Sequence, residues 1–258
     1  MTAGSPQSTT GGPPVAERAR PGLRLRLSRF PATFGLIGVT LGVFILQLLS
    51  TQVVGFDVIL ALGAKVNSAI AAGEAWRLLS PVFIHVGLLH FFVNMYSLYA
   101  IGPAVERFFS APRMLVVYLL SGIGGVVMSL AFSLNPSVGA SGAIFGLLGA
   151  LGMFLFVHRR TFGRAATFQF RQIVLVALLN LGLGLVPGID NWGHLGGLIT
   201  GAALTSAFGP SFTPVWGELN QPQLIDRRPW RASWSKAILA ALILFALALA
   251  ATQSPFAK

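Results

Sequence analysis

Two residues far apart in the chain have the types needed for nucleophilic catalysis: Ser141, in the run GASGAIFG, and His194, in NWGHLGG. A serine hydroxyl is a weak nucleophile until an adjacent base takes its proton, and a neutral histidine, with a reference pKa of about 6.5, is the usual base near neutral pH. Attack on a carbonyl creates an oxyanion, which must be met by preorganised donors. Ser141 stands where an apolar run begins, and the first N–H groups of a helix lack internal acceptors, so the backbone beside Ser141 and Gly142 can supply such donors. His90 and Asn94, four apart, share one helical face and can add side-chain donors.

Plainer readings stand beside these. A serine in an apolar helix commonly bonds its own helix backbone. Gly142 and Gly146, and Gly193, Gly197 and Gly201, follow the GxxxG spacing by which membrane helices pack closely. Asp190 could orient His194, but an aspartate at a helix start is more commonly a cap, so it stays outside the site. His85 reads as structural, near a loop-to-helix junction. His158, beside Arg159 and Arg160, reads as a cation or polar group at a helix C-terminus.

The elements that must position these residues follow from composition. Of 258 residues, 54% are hydrophobic and 10% charged, against about a quarter charged in ordinary soluble domains. Seven segments are apolar enough to be read as membrane spans: Phe34–Ser50, Gly87–Ile101, Met114–Leu134, Ser141–Val157, Ile173–Val186, Trp192–Phe208 and Ala237–Ala251. The expected fold is therefore an all-α polytopic membrane protein.

Lys and Arg in short flanking loops set the orientation. Arg18 to Arg29, Arg107 and Arg113, Arg159 to Arg171, and Arg227 to Lys236 all fall on one face of a seven-span chain. Only Lys65, Arg77 and Lys258 fall on the other. The amino terminus is expected in the cytoplasm and the carboxyl terminus outside, in a multi-pass protein of a bacterial cell membrane. Spans two, four and six then start at the outer face. His194, one turn into span six, lies within about 6 Å of the level of Ser141 at 1.5 Å rise per residue.

Residues 1–30 are expected to be a basic cytoplasmic tail with too little apolar surface to order it. A six-span core over 31–208 follows, with an outer loop at 51–81. A cytoplasmic linker spans 209–235, and 236–258 holds the seventh helix and a short outer tail. The retained first span is read as an anchor rather than a cleaved signal.

Several chemistries drop out. The chain has no cysteine, which removes thiolate nucleophiles and cysteine metal sites. No HExxH motif is present, and Asp57, Asp190 and Asp226, the only aspartates, do not form an intramembrane carboxylate pair. No metal or other cofactor is expected. A net charge of +11 distributed in gaps between apolar runs argues topology and not nucleic-acid binding. A transporter would call for repeated halves with broken helices, and none is evident.

In several motifs, in the same order along most of the chain, the sequence resembles the rhomboid family of intramembrane serine proteases. Trp76-Arg77 is similar to the family's WR pair; His85, His90 and Asn94 in HVGLLHFFVN to its second-span positions; Gly102 to Arg107 in GPAVER to the inner end of that span. GASGAIFGLLGA and NWGHLGGLITG follow. The resemblance implies a six-helix rhomboid-like bundle with one extra carboxyl-terminal helix. It also implies a Ser141–His194 dyad without an aspartate, and an oxyanion site from the Ser141 N–H with His90 and Asn94. The implied reaction is cleavage of single-pass membrane proteins in or near their transmembrane segment; small cleavage-site residues and substrate admission beside spans two and five are also implied. Phe145 stands where some members have a tyrosine against the catalytic histidine, so a ring can stack there but no hydroxyl can act. The competing reading is a non-catalytic rhomboid-like protein that binds transmembrane helices; such proteins lose the dyad, and this chain retains it.

Overall fold

The computed structural model describes residues 29–216 and 222–256. Seven long helices correspond to the seven apolar segments, ending two residues short of Leu134 in the third and three short of Val186 in the fifth: α1 (Pro31–Val54), α2 (Gly87–Phe109), α3 (Ala111–Phe132), α4 (Ser141–Val157), α5 (Arg159–Leu183), α6 (Asn191–Phe208) and α7 (Trp230–Ala251). The tail read over 1–30 lies almost wholly outside the described residues.

By length and composition, α1, α2, α3, α5 and α7 can each cross a membrane. Helix α4 is shorter, with 17 residues. At 1.5 Å per residue it reaches about 25 Å, less than the roughly 30 Å hydrocarbon core, so its ends cannot both lie at the bilayer surfaces. It is also the innermost helix, and every residue from Ala143 to Gly152 is buried. Its neighbours α3 and α6 enclose it, while α2 packs on one flank, with α1 behind it against α2 and α3, and α5 leans on another. Helix α5 is peripheral: only 11% of its apolar window is buried.

Large apolar side chains point away from the bundle, among them Val39 and Leu46 on α1, Leu178 and Leu179 on α5, and Leu242 and Leu249 on α7, all more than half exposed. Apolar surface on this scale needs a cover, and a bilayer supplies it once helices satisfy their own backbones. The fold is an all-α polytopic membrane fold.

Small residues explain how α4 and α6 approach. A methyl group at Gly197 would fall on the Gly142 carbonyl, and one at Gly201 on the Gly146 carbonyl. Backbone meets backbone along this seam, where the GxxxG spacing predicts close packing.

Two connections hold more structure than their composition announces. Between α1 and α2, residues 55–86 contain short helices at Val58–Gly63 and Asn67–Ala71 and two 3-10 turns, Ala75–Leu78 and Ser80–Phe83. Arg77, buried, donates to the Ala61 and Ala64 carbonyls at 3.0 and 2.8 Å and pairs with Glu74 at 2.6 Å. Trp76 Nε1 donates to the Leu62 carbonyl. Between α6 and α7, strands β1 (Phe212–Trp216) and β2 (Pro222–Asp226) pair antiparallel with Phe212 opposite Asp226. The root of this hairpin is fixed to the bundle by the Arg113–Asp226 ion pair at 3.1 Å.

Helix α5 begins earlier than the apolar run Ile173–Val186, at Arg159, with non-helical backbone at Gly163. At the opposite end of the bundle from Ser141, Glu106 of α2 accepts from the Ala32 and Thr33 N–H groups at 2.9 Å, placing a carboxylate on the free N–H groups that open α1.

Candidate active site

The chain enters Ser141 through a constrained turn. Gly139 has φ +124°, a conformation L side chains rarely adopt, and a Cβ there would lie 2.7 Å from the His90 ring. Its N–H donates to the Pro81 carbonyl at 2.9 Å, and the next N–H, of Ala140, donates to His85 Nε2 at 3.3 Å. Ala140 is the cap residue of α4 and Ser141 its first helical residue. The leading N–H groups of α4 therefore have no acceptor within their own helix and lie beside the serine hydroxyl.

Helix α6 brings the second residue. Asp190 caps it by accepting from the Gly193 N–H at 2.9 Å, as expected for an aspartate at a helix start. One turn on, His194 Nε2 lies 2.9 Å from Ser141 Oγ. With the imidazole neutral and its proton on Nδ1, Nε2 accepts the hydroxyl hydrogen. Nδ1 is buried and has no hydrogen-bond partner among the described residues. The Phe145 ring stacks on the imidazole at 4.4 Å between centroids and 11° between planes, fixing the ring plane without a polar contact. A cavity of about 30 Å³ is lined by Ser141, Gly142, His194, Gly139 and Asp190, enough for a water or two.

The accessory residues divide. His90 lies on Gly139, and its Nδ1 faces the Val86 N–H at 3.5 Å. Gly142 packs on the Gly193 carbonyl, on the α4–α6 seam. Asn94 is buried, but its amide donates to the His90 carbonyl at 2.9 Å, within its own helix. His158, away from the site, bonds the Phe154 carbonyl through Nδ1 at 2.8 Å and accepts from the Phe212 N–H through Nε2 at 2.9 Å.

Gln47, absent from the sequence reading of the site, supports it from α1. Its amide oxygen accepts from the His85 N–H and its amide nitrogen donates to the His85 carbonyl, each at 3.0 Å, while the same nitrogen donates to Asp57 at 2.7 Å. His85 is thereby held where Nε2 can meet Ala140. An amide inside an otherwise apolar span is the signal that could have marked Gln47, because such a group is costly there unless partnered. Burial pushes the His85 imidazole down to about 4, with neighbouring His90 acting in the same direction, so it stays neutral and able to accept.

A Rhomboid domain matches residues 72–211. The chain is 40% identical over 194 residues to the rhomboid protease GluP of Bacillus subtilis (strain 168), covering 75% of this chain and 34% of that protein. With RHOMBOID-like protein 4 of Arabidopsis thaliana it shares 38% identity over 186 residues, 72% of this chain and 46% of the relative. With RHOMBOID-like protein 5 of the same plant the figures are 37% over 162 residues, 62% and 52%. The chain thus spans 34% to 52% of the length of these relatives. The domain match runs unbroken through α2 to α6 and so carries both Ser141 and His194 on one family scaffold: the chain belongs to the rhomboid family.

Proposed function

We propose that the chain is an intramembrane serine endopeptidase in which Ser141 is the nucleophile and His194 its base. The observation that carries this reading is the 2.9 Å approach of His194 Nε2 to Ser141 Oγ across two helices in backbone contact. His194 takes the hydroxyl proton as Oγ bonds to the scissile carbonyl carbon. The carbonyl oxygen, now negative, is met by the leading N–H groups of α4 at Ser141 and Gly142, with His90 and the remaining Asn94 N–H as accessory donors. The tetrahedral adduct collapses, the C–N bond breaks, and the His194 proton passes to the leaving amine. Water then gives its proton to His194 and attacks the acyl-serine, and the serine leaves with that proton.

The substrate class follows from the setting. Ser141 opens a 17-residue helix of about 25 Å, shorter than the roughly 30 Å hydrocarbon core, so a hydroxyl below the membrane surface can meet the backbone of a single-pass transmembrane protein. Residues 31–208 form the catalytic core, 209–235 a cytoplasmic linker, and 236–258 the seventh helix with a short outer tail. The amino terminus lies in the cytoplasm and the carboxyl terminus outside, because the arginines gather at the ends facing away from Ser141. The alternative, a rhomboid-like protein that binds transmembrane helices without cutting them, has no use for a base on Ser141.

The test is cleavage of a model transmembrane substrate in vesicles. Ser141→Ala and His194→Ala should each lower the rate by roughly 10³-fold or more while still inserting. His90→Ala or Asn94→Ala should cost less, on the order of 10²-fold. Turnover at the wild-type rate in either dyad variant would sink the assignment.

A further inference from the structure

Lys65 is fully buried, at 0% exposure, and among the described residues it makes no ion pair. A buried ammonium is costly to desolvate unless its protons are used. All of its hydrogen bonds run to backbone carbonyls where α3 ends: Ser129 at 3.4 Å, Ser133 at 3.0 Å and Asn135 at 2.9 Å. A cation at a helix C-terminus meets free carbonyls and the negative end of the helix dipole. The Lys65 backbone does a second job. Its N–H donates to the Ser137 carbonyl at 3.0 Å and its carbonyl accepts from the Ser137 N–H at 3.1 Å. Both ends of the segment 133–137 are therefore held by one residue. Asn67 reinforces the junction, donating to the Ser133 carbonyl at 2.8 Å and to the Phe256 carbonyl beyond α7.

From Ser137 the chain has no further slack. Gly139 is fixed to Pro81, Ala140 to His85, and Ser141 follows. We propose that Lys65 is a positioning residue for the reaction at Ser141, holding the 133–139 segment so that the first turn of α4 presents the hydroxyl to His194. This rests on the reading of Ser141 as nucleophile. Lys65 itself touches neither Ser141 nor the substrate; it acts through the segment.

Burial pushes the Lys65 ammonium down to about 8, and Asp190, the charged group acting on it from the cap of α6, opposes that shift. Its own hydrogen-bond partners are neutral carbonyls, of which that of Ser133 is shared with the Asn67 amide. Loss of the proton just above neutrality weakens the hold on the carbonyls, whereas an arginine keeps its charge there.

The experiment measures kcat and KM for one transmembrane substrate in vesicles, using the full chain, as pH rises through the Lys65 transition. Wild type, Ser141→Ala, Lys65→Met and Lys65→Arg are compared, with thermal unfolding in parallel. Lys65→Met should lose about 10²-fold in kcat with KM nearly unchanged, the cost of a slightly misplaced nucleophile. Wild type should lose rate as pH passes about 8, and Lys65→Arg should keep its rate to higher pH. Where Lys65→Met does not accumulate, the wild-type profile decides: a rate flat through that transition overturns the proposal. Wild-type kcat in Lys65→Met also overturns it, leaving Ser141 untouched. Full cleavage by Ser141→Ala removes the nucleophile reading, whatever the Lys65 variants do.

Discussion

Ser141 and His194 lie 53 positions apart, yet what each can do is set by its immediate neighbours. Phe145 fixes the imidazole plane, Gly139 turns the backbone, and His85 receives the Ala140 N–H. His85 gives a pH prediction with a definite sign. Its ordinary value of 6.5 falls to about 4 in the folded chain, so between those values the unfolded chain binds more protons. Stability is full above 6.5 and is lost as pH falls through 4. Denaturation in detergent should show a decline of up to about 3 kcal/mol over that window, much reduced in His85→Gln. A curve identical for the two proteins would remove His85 from this role. Residue types, the shared level of spans two, four and six, and the resemblance to rhomboid motifs together made Ser141, His194 and His90 legible in the sequence, as position at a helix start did the Asp190 cap. Gln47 and Lys65 were not, because their roles consist of bonds to distant backbone atoms, and a sequence shows side-chain types without the backbone that they meet.

Among the elements, the α4–α6 seam matters most, because its backbone contacts set the 2.9 Å between Ser141 and His194. Gly197→Ala would push a methyl group onto the Gly142 carbonyl, where neither backbone can yield cheaply. The expected cost is about 1–3 kcal/mol of stability. Cleavage should fall further than stability, since the helices that part carry Ser141 and His194. Gly38→Ala, with nothing within 4 Å of the added methyl, is the control and should be neutral in both assays. Equal behaviour of the two variants in the cleavage assay would uncouple the seam from the site. The seven helices were legible because long apolar runs have few alternatives in a bilayer. The interior of 51–81 and the hairpin at Phe212–Asp226 were not. Short helices and strands carry little periodicity, and these are specified by tertiary bonds such as Arg77 to Ala64 and Arg113 to Asp226.

For the molecule as a whole, the proposed orientation decides from which side substrate and water would reach Ser141. The absence of cysteine makes this simple to measure, since one introduced cysteine is the only thiol. A membrane-impermeant maleimide added to intact cells should label Gln253→Cys, exposed beyond α7, and should label Thr161→Cys, exposed at the start of α5, only after permeabilisation. The reverse pattern would invert the proposed topology. The cavity at Ser141 is lined in part by Pro81, at the end of the 51–81 segment, which the proposed topology places outside.

The central claim is that Ser141 is reactive because His194 is its base. A serine-directed covalent probe applied to the full chain in vesicles, read by peptide mass spectrometry, tests it most directly. The predicted result is a single adduct at Ser141, absent in Ser141→Ala and slowed by about 10²-fold or more in His194→Ala. Labelling of Ser141 at the same rate with and without His194, or an adduct on another residue that survives Ser141→Ala, would contradict it.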